Sequence, residues 1–569
     1  MTNLEVAWVL ADIAALLEIK QESVFKIRAY RKASRTIQKL PEDILKVYQE
    51  NRLKEIPGIG KNISAKIAEL LETGNSVYYA NLKKETPEIL TEMVHIPAIG
   101  IKSARAIYDN FHPETLDDLA QLAKKRKIRN LPGMGAKTEI AILRGIELLR
   151  RGSGATPLGV AKPLAEEIAA FLNTMPEVIS IDVAGSVRRG KDEVSDIDLV
   201  AATNYPKKVG ETFTKYPQVK EVLAEGKTKV SVRTWLGSQV DLRLVTKDQF
   251  ITTLHHFTGS KEHNVRLRKL AKEKGIKINE YALLHDEERL MVKSEQDIYK
   301  TLGLQYVPPE LREDQGEVEA AREKIIPELV QLSDIKGDLH LHTDWSDGVN
   351  TIREVALAAK ELGYQYIAIT DHSRSLKIAG GLSIEMLRKQ KKEIAALNEE
   401  LAPFKVFAGV EADILADGTL DYPDNILKEL DLVIASIHSN FRMDKKVMTQ
   451  RIIKAISNPW VHFFAHPTGR LIGRRPGYEV DIVKVMQVAR DYGKALEINS
   501  SPDRLDLRDE HVFQAKEKGI PIAINTDAHD IDRLPEMLYG IITARRGWLV
   551  AGDIINTWPL DRIVKWLTE

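Results

Sequence analysis

The 569-residue chain contains no cysteine. Disulfides, thiolate zinc sites and thiol nucleophiles are therefore excluded, and the composition fits a reducing compartment. Net charge is missing as well, since 82 Lys and Arg balance 82 Asp and Glu. A uniformly basic nucleic-acid coat is ruled out, so any contact with a polyanion has to come from local patches. No uncharged apolar run is long enough to span a bilayer. The opening MTNLEVAWVLADIAALLEIK reads as an amphipathic helix interrupted by Glu5, Asp12 and Glu18, without the basic start or cleavage site of a signal peptide. A cytoplasmic protein with no membrane association is expected. The chain is rich in apolar residues, 43%, and too long for one ordinary domain, so three or more compact units are expected.

Residues 1–150 read as mostly helical, and a motif recurs there three times: IPGIGKNISAKI (56–67), IPAIGIKSARAI (96–107) and LPGMGAKTEIAI (131–142). Each is an apolar-Pro-x-x-Gly turn followed by a helix start. In this helix-hairpin-helix pattern the turn exposes backbone N–H groups and the second helix points its positive end at a phosphate. Gly58, Gly60, Gly100, Gly133 and Gly135 are the candidate DNA-binding glycines, and Ala98 breaks the pattern in the middle copy. Lys20, Lys26, Arg28, Arg31, Lys32, Arg35 and Lys39 face only Glu22 in their segment, and KKRKIR (124–129) is a second basic knot. Such runs are usually solvated helix faces. Beside three phosphate-facing hairpins they favour a DNA backbone.

The stretch GSGATPLGVAKP (152–163) breaks the helical pattern. Strand-like runs follow: VISIDVAG, DIDLVAAT, VSVRTWLG and QVDLRLV. Asp196 and Asp198, two apart on a strand, point to the same side and repel each other, so they call for a cation. Asp241 sits in a similar apolar surround on a later strand. Three carboxylates on adjacent strands suit two Mg²⁺ or Mn²⁺ ions that activate an attacking hydroxyl and stabilise a leaving pyrophosphate. Gly185, Ser186, Arg188 and Arg189 offer donors and charge to a triphosphate. The plainer alternative has Asp196 and Asp198 capping a turn and Asp241 pairing with Arg243.

Residues 250–315 read as mixed helix and loop, ending in the Pro- and acid-rich YVPPELREDQGE. From Gly337 short apolar runs alternate with helical stretches, the pattern of a β/α barrel or doubly wound sheet. Their C-terminal ends carry His340, His342, Asp347, Asp371, His372, Glu411, His438, His466, Asn499, Asp527 and His529. A lone histidine on an apolar strand is more often structural, and His462, His511, His285 and His95 are read that way. The remaining six, with Asp347, Glu411 and Asp527, would converge on one face of a barrel. Mixed imidazole and carboxylate ligands suit Mn²⁺, Zn²⁺ or Fe²⁺, and nine ligands imply two or three ions in a site for phosphate-ester hydrolysis.

Two resemblances rest on these residues. The GS…DxD…D pattern is that of the nucleotidyltransferase superfamily, and HHFTGSKEHNVRLRKLAKEKGIKINEY (255–281) resembles the family X DNA polymerases over about residues 1–315. That resemblance implies that Asp196, Asp198 and Asp241 are catalytic metal ligands and that Gly185, Ser186, Arg189, His256, Phe257 and Gly259 line the nucleotide site. It places Asn264 and Arg268 at the minor-groove side of the nascent pair, and Arg243 as a neighbour tuning the carboxylates. His256 stands where the family has Tyr against the incoming sugar, so rejection of ribonucleotides is not implied. SVFKIRAYRKA (23–33) resembles the small lyase domain of these polymerases, which puts Lys26, Tyr30 and Arg31 at 5′-phosphate positions and Lys66 at a Schiff-base position. HLHTDWSDG, TDH, GVEAD, SIHS, AHP and NTDAH resemble the PHP (polymerase and histidinol phosphatase) domain over about residues 333–569. All nine of its ligand positions are filled. Asp371 is then expected to hold an imidazole, and Arg374, Arg442, Arg470 and Arg504 to meet phosphate.

The expected architecture is multidomain: an α-helical helix-hairpin-helix N-terminal region, an α+β nucleotidyltransferase palm and thumb, and a distorted (β/α)7 PHP barrel. The expected segments are a lyase-like domain at 1–85, a fingers-like region at 86–152, a palm at 153–248, a thumb at 249–315, a linker at 316–332 and the PHP domain at 333–569. Together they imply a monomeric, gap-filling DNA polymerase of base excision repair. It would act on gapped or primed duplex with a 5′-phosphate and on deoxynucleoside triphosphates. The PHP site would supply a 3′–5′ exonuclease, with abasic-site cleavage or 3′-phosphate removal as further activities. Two alternatives are a non-catalytic repair scaffold, which leaves the metal ligands idle, and a small-molecule nucleotidyltransferase fused to a phosphatase, which leaves the hairpins unused.

Overall fold

The computed structural model describes residues 1, 3–20, 22–38, 40, 42–94, 96, 99–135, 138–139, 142–143, 145–146 and 155–568. Lys39, His95, Ala98 and the expected boundary at 152/153 lie outside them. Contacts divide the chain into two compact units, one of residues 1–156, 170–181 and 201–247, the other of 157–169, 182–200 and 248–569.

In the first unit, helices Asn3–Ile19 and Val24–Gln38 close on Lys61–Thr73 around Leu10, Ile13, Leu17, Ile37, Ile44 and Ile67. Helical periodicity explains the choice: Ile63, Ile67 and Leu70 of Lys61–Thr73 are buried three or four apart. A second helical core gathers Leu90, Ile96, Ala104, Ile107, Leu119 and Ile128. One backbone hydrogen bond recurs at the three hairpins. Ile59 N donates to Ile56 O, Ile99 N to Ile96 O and Met134 N to Leu131 O, each at 3.0 Å. Gly58 and Gly133 have φ of +88° and +73°, which only glycine adopts without strain. Gly60 and Gly100 cap the helices that follow. The same unit holds the antiparallel strands Val219–Glu225, Lys229–Thr234 and Gln239–Val245. They belong to a five-stranded sheet of order 178–183, 196–203, 239–245, 229–234, 219–225.

The second unit holds helices Phe250–Thr258 and Lys261–Glu273 and a three-stranded sheet of Ile276–Ile278, Leu283–His285 and Glu288–Leu290. That small sheet is not legible in the sequence, because three residues are too few to show alternation. Residues 316–332 are not an open linker. Helix Glu317–Glu323 buries Val318, Ala320 and Ala321 against Leu267, Tyr299 and Leu302, an apolar face that the surrounding acids disguise.

The barrel strands are Gly337–Leu341, Tyr366–Ile369, Lys405–Asp413, Leu432–Ser436, Phe463–Phe464, Ala495–Asn499 and Ile522–Asn525, each parallel to the next. A parallel bridge from Leu341 to Ala528 joins first to last. Alternate side chains enter two cores, Tyr366 and Ala368 in one, Ile367 and Ile369 in the other. Strands buried on both faces read as continuous apolar runs. Among the described residues no helix is long and apolar enough to cross a membrane.

Candidate active sites

In the sheet of order 178–183, 196–203, 239–245, the strand of Asp196 and Asp198 neighbours that of Asp241. Each aspartate offers one oxygen, all within 4.8 Å of one another. Asp241 makes an ion pair with Lys229, 2.5 Å away on the adjacent strand, a residue that neither the metal-ligand reading nor its plainer alternative names. Burial would raise the Asp241 carboxyl; Lys229, Ser231 and Gln239 overcome this and hold it below its ordinary range. Gly185 has φ +62°, and a Cβ there would meet Asp198 Oδ2 at 2.4 Å. Residues 185–188 form one helical turn rather than an open one.

Both arginines after this turn are engaged. Arg188 makes a two-pronged pair with Glu295 at 3.0 and 2.7 Å and donates to Thr258 Oγ1. Arg189 Nη1 donates to Thr258 O at 2.6 Å and its Nε to Glu313 Oε1 at 3.0 Å. Gly259 lies against Arg189, a Cβ there reaching Nη1 at 3.1 Å. His256 and Phe257 meet edge to face at 5.0 Å, and Asn264 Nδ2 donates to His256 O at 2.7 Å. Arg268 is exposed on the same helix as buried Asn264.

The barrel brings all nine expected ligands together. Glu411 is central: its Oε2 lies 2.8 Å from His372 Nδ1 and 3.6 Å from His340 Nε2 and His342 Nε2. Its Oε1 lies 2.9 Å from His466 Nε2 and 3.3 Å from His438 Nε2. Asp527 Oδ1 is 3.1 Å from His342 Nε2, and Asp347 Oδ1 is 3.2 Å from His529 Nε2. Three groups have ligand atoms close enough to share an ion: His342, Asp347, His372 and His529; His340, His342 and Asp527; His372, Glu411 and His438. His466 and Asp527 hold their side chains there from left-handed backbone, φ +30° and +53°.

These residues fit metal ions. Among the described residues, His340 Nε2, both nitrogens of His342, His372 Nδ1 and Glu411 Oε2 are buried without a well-directed hydrogen bond, the 2.8 Å approach of His372 Nδ1 to Glu411 Oε2 included. Such orphans cost about 1–3 kcal/mol each, which a shared cation would offset. Despite burial, the His340 imidazole is raised well above its ordinary value by Glu497, Asp527 and Glu411, and His438 rises to about 9 beside Glu411 and Asp413. Burial and the rings of His529 and His372 push His342 down to about 3.

Sequence reasoning missed Glu497, which accepts from His340 Nδ1 at 2.8 Å, His466 N at 2.7 Å and Asn525 Nδ2 at 3.0 Å. It lies two residues before Asn499, on the same side of its strand, and the strand-end reading stopped one pleat late. Among the described residues Asp371 holds no imidazole: it accepts from Thr343 N, Thr343 Oγ1 and Gln390 Nε2 at 2.7, 2.6 and 2.6 Å, which fixes the loop leading to Asp347. Arg470, expected to meet phosphate, gives Nη1 to Asp192 Oδ2 at 2.7 Å and Nη2 to Leu505 O. Arg374 lies over the Tyr422 ring, while Arg504 stays 3.7 Å from Asp527. His462 is structural, accepting from Val433 N.

In the helical region, Lys26 and Lys66 both lie over Tyr78, 5.6 and 4.4 Å from its ring centroid. Tyr30 stacks on Tyr78 at 6.3 Å between ring centroids, and among the described residues the buried Tyr78 hydroxyl has no hydrogen-bond partner. Burial and the Lys26 charge lower the Lys66 amine. Arg31 pairs with Glu18. Tyr78 carried no signal in the sequence, lying outside the hairpin motifs.

Comparison with known proteins places these sites in context. Residues 1–76 match the helix-hairpin-helix domain, 79–147 the SAM-like helix-hairpin-helix tandem, 253–313 the DNA polymerase beta thumb and 338–501 the PHP domain. The chain is 42% identical over 571 residues to the DNA polymerase/3′–5′ exonuclease PolX of Bacillus subtilis (strain 168), covering 100% of this chain and 99% of that protein. The chain belongs to the PolX family. Part of the chain is also 35% identical over 246 residues to a probable phosphatase of Thermoanaerobacter sp. (strain X514), 41% of this chain and 94% of that protein.

Proposed function

We propose that this PolX-family chain fills short DNA gaps by template-directed nucleotide addition in base excision repair and trims 3′ ends with its barrel. The observation that carries the reading is the presence of two separate metal-fitting constellations, three aspartates on a sheet and eight barrel residues with His466 beside them on Glu411, in a chain matched end to end by a polymerase/exonuclease.

Two Mg²⁺ or Mn²⁺ ions held by Asp196, Asp198 and Asp241 would supply charge neutralisation for attack and pyrophosphate release, and two or three Mn²⁺, Zn²⁺ or Fe²⁺ ions in the barrel would supply it for hydrolysis. The chain's residues do the rest. Ser186, Gly259 and Arg189 bind the triphosphate, and Phe257 and His256 bound the sugar. Asn264 and Arg268 monitor the minor groove. Lys229 neutralises Asp241 until nucleotide arrives. Glu497 fixes His340 so that its Nε2 faces Glu411 and Asp527. Gly58, Gly60, Gly100, Gly133 and Gly135 present backbone N–H groups to DNA phosphates, and Lys26, Tyr30 and Arg31 take the 5′-phosphate, with Lys66 as Schiff-base nucleophile. The working parts are 1–85, 86–152, 153–248, 249–315 and 333–569, in a cytoplasmic, nucleoid-associated monomer.

The test offers each deoxynucleotide singly to a one-nucleotide gap. Insertion of the complementary nucleotide only, faster with a downstream 5′-phosphate, is the expected result. Binding without insertion would return the chain to a scaffold, and untemplated transfer to a small-molecule enzyme.

A further inference from the structure

The loop that follows Gly185 touches the barrel at three places that nucleotidyl transfer does not require. Gly190 approaches helix Met537–Arg546 so closely that a Cβ would lie 2.1 Å from Ile542 Cγ2. Asp192 takes the Arg470 guanidinium at 2.7 Å. Arg546 Nη1 donates to Arg189 O at 2.8 Å and to Glu313 Oε1 at 2.9 Å, while its Nε and Nη2 reach Asp509 Oδ2 at 2.9 and 2.6 Å. The Arg546 side chain is only 6% exposed.

We propose that Arg546, a residue of the barrel, is a positioning residue for nucleotide binding at the polymerase site, acting through Glu313 and the Arg189 backbone. This rests on the reading of Arg189 as a triphosphate contact. Arg189 gives Nε to Glu313 and Nη1 to Thr258 O; its Nη2 has no partner among the described residues. Glu313 is therefore a carboxylate next to the position of a polyanion. Alone it would repel the triphosphate and compete for the arginine. Arg546 cancels that charge, with Lys191 adding a weaker contact at 3.5 Å, and Asp509 anchors Arg546 from behind. Burial makes each of these contacts stronger than its surface counterpart. One guanidinium spans a carbonyl and two carboxylates at once, which a lysine ammonium cannot reproduce.

The experiment compares full-length wild type, R546A and R546K for insertion of one nucleotide into gapped DNA. In parallel it records 3′-nucleotide removal without deoxynucleotides and thermal melting. Expected for R546A is a KM for nucleotide raised about tenfold with kcat within about threefold, and removal of 3′ nucleotides unchanged. R546K should recover part of the KM. An unchanged KM would overturn the proposal, as would KM, kcat and 3′ removal deteriorating together. If R546A does not fold, D509N serves instead: it touches neither Arg189 nor Glu313, and a raised KM supports the proposal while a wild-type KM overturns it. Wild-type insertion is the separate control, since its absence would sink the polymerase reading itself.

Discussion

Replacing Gly185 by alanine tests whether the turn before the aspartates is built for catalysis or merely for chain reversal. Two costs arise. The backbone is left-handed, φ +62°, which costs an L side chain about 1–2 kcal/mol. The new Cβ would also stand 2.4 Å from Asp198 Oδ2 and 3.2 Å from Asp198 Cβ, well inside contact distance with a carboxylate. The aspartate must swing away, and a displacement of about 1 Å at a reacting centre costs on the order of 100-fold in rate. With the loss of alignment to Asp196 and Asp241, single-turnover insertion should fall about 100- to 1,000-fold, or about 3–4 kcal/mol of barrier. Rapid-quench insertion on gapped DNA measures this, with 3′-nucleotide removal as the control, since the barrel residues are untouched. Insertion by G185A within threefold of wild type would refute the reasoning.

Further consequences can be measured independently. Glu497→Gln keeps the shape but loses the charge that holds His340, so barrel metal affinity should drop about 10- to 100-fold in a metal titration; unaltered affinity would dismiss that role. Because the Lys66 amine is lowered by burial and Lys26, more of it is unprotonated at neutral pH than for an ordinary lysine. Borohydride trapping on a 5′-abasic end should therefore level off at lower pH than for a free lysine, vanish in K66A and weaken at neutral pH in K26A. Burial opposes the charge of Glu295, yet Arg312 and Arg188 hold its carboxyl down to about 2 from an ordinary 4.5. The folded value is depressed, so its contribution, at most about 3 kcal/mol, is full above the unfolded value and is lost as pH falls from about 4.5 towards 2. Urea melts of wild type and E295Q should differ at neutral pH, keep part of that difference at about pH 3 and converge only as pH falls to about 2; a constant difference would disprove the linkage.

Much of the fold and of the candidate sites is legible where chemistry and periodicity coincide. The hairpin repeats announce themselves because the turn demands glycine at Gly58 and Gly133, and the barrel ligands because each sits where an apolar run ends. What escapes is what depends on distant partners. Lys229 meets Asp241 only through strand register, and Glu497 supports His340 across 157 positions of sequence. Tyr78 joins Lys26 and Lys66 through helix packing alone. Arg470 looks like a phosphate ligand because it follows His466 closely, yet its charge is used by Asp192. Residues 316–332 look like a linker because acids flank their apolar face, yet Glu317 itself is fully buried.

The most direct measurement follows one 5′-labelled primer on a one-nucleotide gap with Mn²⁺, with and without deoxynucleotides, in wild type, Asp241→Asn and His342→Ala. The account predicts extension with nucleotides and shortening without them in wild type. The first variant should lose extension alone, and the second should lose shortening alone. If either substitution removes both activities, or if wild type changes the primer in neither condition, the claim of two separate and opposite sites in one chain is contradicted.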